Sequence, residues 1–384
     1  MPTAQPQHQG ALTRLRAEGA TPEAIDQLLR DHSIPLVEGS SCTFLWRGEA
    51  DWVGVEHRVM GVPIPLPLKR LKGTDLWYAT VELPRGARVQ YRYLIRRGEH
   101  AESVNDPLNH RVVTEPMGSQ SVLEAEGYVT PDWTYRDPAA VAGELVDVRL
   151  PSKALRRDAH ITLYIPARMH RDRRLPLLVV HDGGDFLNHS SMATVLDNLM
   201  HRRLMADCVV AFTHPQERLR EYAATAAHSR FLTAELVPHL EGSLHLRGDT
   251  RGRVLLGASF GGVAALAAAV RAPGFYGGLL LESPSLRFEG DGEHHHPAVF
   301  TPVVRFVNAV REHPTVVTQR IFLTYGAFEP LAEPDRAMVE VLERMTGKLR
   351  VVEALDGHNW INWRDRLLDG LGWLFPGESR LIYP

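Results

Sequence analysis

Cysteine is scarce: Cys42 and Cys208 are the only two in 384 residues, and they stand in different prospective domains. That excludes a disulfide framework and gives no zinc-ligand spacing, so a reducing, cytoplasmic setting is expected. Long apolar runs are missing as well. No segment has the uncharged length of a membrane span, and residues 1–10 lack the basic and apolar stretches of a secretory leader. Neither sign of charge dominates: the formal net charge is -3, which removes the electrostatic case for a nucleic acid or an anionic membrane as partner. There is no internal repeat and no low-complexity tract beyond the histidine run at 294–296.

What is present is enough for two domains. A chain of 384 residues exceeds one typical compact core, and 44% hydrophobic with 23% charged residues is the balance of a soluble globular protein. Leu12, Leu15, Ile25, Leu28 and Leu29 recur at helical spacing around a Thr21-Pro22-Glu23 start signal, so residues 1–37 read as an N-terminal helical segment. Residues 38–127 change period. Short runs rich in Val, Trp, Tyr and Thr at 42–46, 52–55, 76–83 and 89–95 are separated by Gly, Pro and Asp turns, which predicts a small antiparallel β-sandwich. Trp46, Trp52 and Trp77 either fill that sandwich or stack on sugar faces, and the core reading is preferred.

Residues 128–144, with Pro131 and the 137–143 stretch, read as a linker. Beyond it, apolar strand candidates at 145–150, 160–165, 175–180, 208–212, 254–256, 278–281, 320–324 and 349–352 alternate with helical patterns at 192–205, 229–240, 263–271 and 334–345. Such alternation predicts an α/β domain over 145–384, a mostly parallel sheet covered on both faces, with its site beyond the carboxyl ends of the strands.

The run at 253–270 carries the chemistry. Val254, Leu255 and Leu256 make a buried strand, Gly257, Ser259 and Gly261 make a G-x-S-x-G turn, and an alanine-rich helix follows Gly262. This is the order of a nucleophile elbow: the turn lifts the Ser259 hydroxyl clear of the strand and aims the Phe260 N–H at a developing oxyanion. Glycine is expected at 257 and 261 for crowding and for unusual backbone angles. A serine needs a base and the base needs an acid. In α/β-hydrolase order both follow Ser259, which selects His358 in its Gly-containing loop and Glu329 after the strand at 320–324. Asp335, explained by capping of its helix, and Asp356, explained by loop stabilisation, are fallback acids. A second oxyanion donor is expected from Gly183, Gly184 or Asp185, directly after the strand that ends at Val180. His181, Asp182 and Asp185 could instead hold a divalent cation, a weaker reading because the elbow already accounts for a glycine-rich loop there. The segment 291–296 could also bind metal but reads better as a solvated lid. No cofactor is implied.

Several stretches together resemble the enterochelin esterase family: Gly73 to Trp77, Gln90 to Tyr93 and Asp106 to Asn109 in the β region, then His181-Asp-Gly-Gly184, Arg218 to Tyr222, Gly257 to Gly262, Gly326 to Pro330 and Asp356-Gly-His358. The resemblance spans roughly residues 41–375 and implies an immunoglobulin-like N-terminal domain, an α/β-hydrolase catalytic domain, and Ser259, Glu329 and His358 as nucleophile, acid and base. It also implies that Arg218 and Arg220 meet an anionic substrate, and Asp185 is assigned to substrate binding beside them. Family members hydrolyse catecholate-serine siderophore esters in the cytoplasm. Where the family tends to have an aromatic pair after the strand at 278–281, this chain has Glu282-Ser-Pro-Ser, which bears on substrate identity and not on the triad. The expectation is therefore a serine esterase acting on a small-molecule ester, a ferric siderophore first. Acylated carbohydrate or another aryl ester is the enzymatic alternative, and a non-catalytic carbohydrate- or siderophore-binding protein the other.

Overall fold

A computed structural model describes residues 10–59, 61–169, 173–292 and 296–377. Residues 293–295, and with them most of the histidine run, lie outside the described residues. The chain forms two compact units, Met1–Val129 with Leu355–Gly357, and Thr130–Ala354 with His358–Pro384.

The first unit begins with helices Ala11–Glu18 and Pro22–Asp31. Thr21 caps the second by accepting the Ala24 N–H through Oγ1 at 3.2 Å, and Pro22 takes the first helical position, where no amide hydrogen is needed. Leu12, Leu15, Ile25 and Leu28 are buried against Leu36, Leu45 and Leu76 of the sheet. Two antiparallel sheets follow, one of four strands centred on Ser41–Arg47 and Leu76–Glu82, the other of six centred on Arg88–Arg97. They pack face to face: Phe44 meets Tyr91 edge-on at 4.8 Å, and the Tyr93 hydroxyl donates to the Leu45 carbonyl at 2.9 Å. Trp46 and Trp77 are buried and meet edge-on at 6.4 Å, so both belong to the core, whereas Trp52 is half-buried with the Arg96 guanidinium over its ring. The strands His100–Val104, Val112–Glu115 and Gly118–Glu124 had no clear alternation to announce them.

The second unit is built on eight strands, labelled β1 (Glu144–Ser152), β2 (Arg157–Ile165), β3 (Leu177–Val180), β4 (Val209–His214), β5 (Arg253–Ala258), β6 (Gly278–Glu282), β7 (Thr318–Gly326) and β8 (Thr346–Ala354). Their order is β1-β2-β4-β3-β5-β6-β7-β8, antiparallel at the β1-β2 and β2-β4 pairs and parallel elsewhere. This is an α/β-hydrolase sheet. Alternate side chains of β5 serve opposite faces: Leu255 enters one apolar cluster, Val254 and Leu256 the other. Four helices frame the site, α1 (Gly183–His189), α2 (Phe260–Arg271), α3 (Ala332–Arg344) and α4 (Trp360–Leu374). In α2 the residues from Ala264 to Ala269 are all buried, because side chains this small let the helix axis lie close to the sheet.

One helical expectation changes form. The run at 229–240 is not one α-helix but Ala226–Arg230, a π-helical turn at Phe231–Leu236, and Val237–Ser243. Pro238 lacks an N–H and its ring crowds the carbonyl one turn back, and a wider turn relieves both.

Candidate active site

Ser259 stands where β5 ends and α2 begins, with φ 55° and ψ −121°. That backbone is strained for a residue with a side chain, and its neighbours hold it. The Ser259 N–H donates to the Glu282 carbonyl of β6 at 2.9 Å, and its carbonyl accepts from Gly262 N–H at 3.1 Å and Ser285 N–H at 3.0 Å. The glycines around it serve close approach and not unusual angles: none of the three has a positive φ. A Cβ on Gly257 would lie 2.2 Å from the Gly261 backbone, and one on Gly262 would lie 2.7 Å from Pro284 Cβ. The Ser259 hydroxyl is 3.1 Å from Ser285 Oγ.

Glu329 lies between β7 and α3 and is fully buried, yet both oxygens are satisfied. Oε1 accepts the Gly326 N–H at 2.6 Å, and Oε2 is 2.5 Å from His358 Nδ1. Such a pairing fixes the tautomer of His358, with hydrogen on Nδ1 and Nε2 left free to take a proton. The imidazole is 19% exposed and has the Trp363 ring edge-on at 5.0 Å, while Trp363 Nε1–H donates to Ser283 Oγ at 2.9 Å. Asn359 caps α4 directly after His358, accepting the Asn362 N–H at 3.0 Å, so His358 is anchored to a helix start.

The loop after β3 supplies the opposite wall. Asp182 adopts the left-handed region at φ 54° and opens α1. Gly183 fits against β4 only because a Cβ there would meet Phe212 Cβ at 2.4 Å. Asp182 N–H donates to the Tyr222 hydroxyl at 3.1 Å, and the Asp182 carbonyl accepts the Asp185 and Phe186 N–H groups at 3.0 and 3.1 Å. The Asp185 amide is therefore committed. Gly183 and Gly184, like Phe260 at the start of α2, are first-turn amides with no intrahelical acceptor.

The sequence pattern described as "Putative esterase" matches residues 152–374, and the one described as "Enterochelin esterase, N-terminal" matches residues 41–133. The chain belongs to the putative esterase family. It is a carboxylic ester hydrolase with an enterochelin esterase-type N-terminal region. The esterase is 25% identical to the iron(III) enterobactin esterase of Dickeya dadantii, over 99% of this chain and 98% of that one. It is 26% identical to the iron(III) salmochelin esterase of Escherichia coli O6:H1, over 89% and 91%. Among solved structures, the enterobactin esterase of Shigella flexneri in the presence of enterobactin shares its fold, with a TM-score of 0.68, 21% identity, and coverage of 87% and 92%.

Within the esterase, Ser259, Phe260, Glu329, His358, Gly183 and Gly184 all lie in or beside the loops that follow the carboxyl ends of β3, β5, β7 and β8. Other expected residues are employed differently. Arg218 closes a two-pronged ion pair on buried Asp182, 2.7 Å on each side, and so holds the β3 loop. Arg220 remains on the surface, paired with exposed Glu217 at 3.0 Å. Asp185 is half-buried, and burial first and Asp182 second raise its carboxyl above the ordinary range. Asp335 is not a helix cap: it is wholly buried, neither oxygen has a hydrogen bond, and burial together with Glu329 pushes its carboxyl well above the usual value. Asp356 is held by Arg88 at 3.2 Å. His181 is buried with Nδ1 at 2.8 Å from the Leu256 carbonyl, and among the described residues no group of three His, Cys, Asp or Glu side chains is arranged to hold a metal. Ser285, Trp363 and Tyr222 touch Ser259, His358 and Asp182, contacts that the sequence does not announce although Tyr222 lies in the 218–222 stretch and Ser285 in 282–285. Glu282 had a signal, a charge ending an apolar run at a strand's carboxyl end.

Proposed function

We propose that the esterase hydrolyses the ester bonds of a catecholate siderophore through Ser259, His358 and Glu329, with an acyl-enzyme intermediate. The observation that carries the mechanism is the buried Glu329–His358 pair in the same unit as a serine held at a strained strand-helix turn. Ser259 Oγ turns from Ser285 and attacks the ester carbonyl carbon while His358 Nε2 takes its proton. The carbonyl oxygen, now an oxyanion, is met by the amides of Phe260 and of Gly183 or Gly184. As the intermediate collapses, the ester C–O bond breaks, His358 returns the proton to the departing alkoxide, and the acyl group stays on Ser259. Water then repeats the sequence and frees the acid. Glu329 orients the ring and stabilises the imidazolium that forms.

The substrate class is supported by the relatives, which are named for iron(III) enterobactin and iron(III) salmochelin. In that reading the ferric ion is part of the substrate, and exposed Arg220 supplies positive charge toward the net-anionic catecholate complex. Residues 38–127 form the immunoglobulin-like domain and 145–384 the catalytic domain. A cytoplasmic site of action suits two cysteines that are both free and buried. No helix among the described residues is long and apolar enough to cross a membrane.

The test is hydrolysis of a simple aryl ester and of a ferric tris-catecholate triester by wild type and Ser259→Ala. Both are expected to be cleaved, with kcat/KM falling at least about a thousand-fold in the variant. Cleavage of the aryl ester alone would redirect the substrate to acylated sugars or other esters. Turnover that survives the substitution, or failure of a fluorophosphonate to label Ser259 in folded protein, would overturn the mechanism.

A further inference from the structure

The parallel strands of the second unit have two ends, and Ser259 lies beyond only one of them. At the other end is a cavity of about 840 Å³, lined near the starts of β3, β5, β6, β7 and β8 by Leu175, Val254, Gly278, Thr318 and Lys348. Strand rise alone separates Val254 from Ser259 by roughly 16 Å, so this cavity is distinct from the ester site. Its walls are fixed by backbone pairing: Leu175 bridges to Leu246, Met205 bridges to Pro376, and the Ala206 N–H donates to the Phe375 carbonyl at 2.9 Å.

The chemistry of the lining is one-sided. Seven arginines and one lysine stand against a single acid, Asp207, in a chain whose formal net charge is -3. Three of the arginines are engaged: Arg320 donates to the Trp373 carbonyl at 2.8 Å, Arg247 pairs with Asp249 at 2.9 Å, and Arg173 has a partner of its own. Arg174, Arg203, Arg251 and Lys348 have no ion pair among the described residues. Arg203 also holds a left-handed backbone at φ 58°, where glycine would sit without strain. Cations gathered in one concavity repel one another and raise the local concentration of counter-anions. Apolar atoms of Met200, Met205 and Phe375 share the lining.

We propose that this cavity binds a small polyanion of the phosphate-ester class, its phosphates held by the unpaired guanidinium groups and its body resting on the apolar wall. The guanidinium fork matches phosphate oxygens two at a time. The volume falls within the range of about 300–1,000 Å³ typical of small-ligand sites, and a concave shape suits a small ligand better than an acidic protein face. Because the ester site is at the opposite end of the strands, the two ligands bind without competing.

The test uses calorimetric titration of the full chain in low salt with inorganic triphosphate, adenosine triphosphate and, as a neutral control, adenosine. Saturable binding of both anions, weakened by added salt and absent for adenosine, is expected. Arg203→Glu with Arg251→Glu should raise Kd by about tenfold or more while aryl ester turnover stays at the wild-type level. If that pair fails to fold, Arg174→Glu with Lys348→Glu makes the same test. No saturable binding of triphosphate at millimolar concentration, or a Kd unchanged by charge reversal, would overturn the proposal. So would binding of polyglutamate without triphosphate, which would assign the surface to an acidic protein.

Discussion

Glu329 and Asp335 are two buried carboxyl groups close in sequence with opposite surroundings. Glu329 receives two N–H donors, whereas Asp335 receives none, and burial first and Glu329 second raise its carboxyl well above the usual range. Glu329→Gln should therefore lower kcat for an aryl ester by about 10³- to 10⁴-fold with the fold intact by circular dichroism, since the amide offers His358 the wrong partner. Asp335→Asn should leave kcat within a few-fold and change the pH dependence of stability. A carboxyl whose folded pKa is raised binds more protons in the native state, so its stability contribution is present at low pH and is lost as pH rises above the ordinary carboxyl range. Asparagine has no proton to lose. The variant's advantage over wild type should widen between pH 4 and pH 8 in thermal melts, and a constant difference would show that Asp335 ionises normally. At this scale the strand-helix turn at Ser259 and the pairing of Glu329 with His358 were legible because chain order and turn chemistry point to them. The ion pair of Arg218 with Asp182 was not legible, because the two meet only through the fold.

The elbow is a property of an element pair, β5 and α2, and its glycines act through packing. Gly262→Ala would set a methyl group 2.7 Å from Pro284 Cβ and 3.1 Å from Pro284 Cα, on the segment that also carries Ser285. Overpacking of this kind costs about 1–3 kcal/mol. Because the displaced segment supports the Ser259 carbonyl through the Ser285 N–H, kcat should fall as well. A stability loss in urea without a loss of kcat would separate the packing of the turn from the aim of its hydroxyl. The strands and helices of the second unit were readable because apolar runs bounded by Gly, Pro and polar turns mark a covered parallel sheet. The π-helical turn at Phe231–Leu236 was not readable, since Pro238 has few local alternatives in sequence but several in space. Strands such as Val112–Glu115 were missed for a related reason: their half-exposed faces carry mixed residues, so the period of two is blurred.

For the whole molecule, two units were legible from composition and period, but a return of the chain from one to the other was not. Leu355–Gly357 clusters with the first unit, although His358, the next residue, belongs to the second. Within the first unit Asp356 forms a buried ion pair with Arg88, whose side chain is 2% exposed, and the Arg88 N–H donates to the Leu355 carbonyl at 2.9 Å. Arg88→Ala leaves Asp356 buried without that partner, which should cost about 3–5 kcal/mol in the urea transition of the first unit. A loss below about 1 kcal/mol would show that the pair is energetically idle. The same return of the chain sets a limit on modularity. A gene cut once, before Thr130, would encode a second unit that still carries three residues of the first. No single cut therefore assigns every residue of each unit to its own fragment.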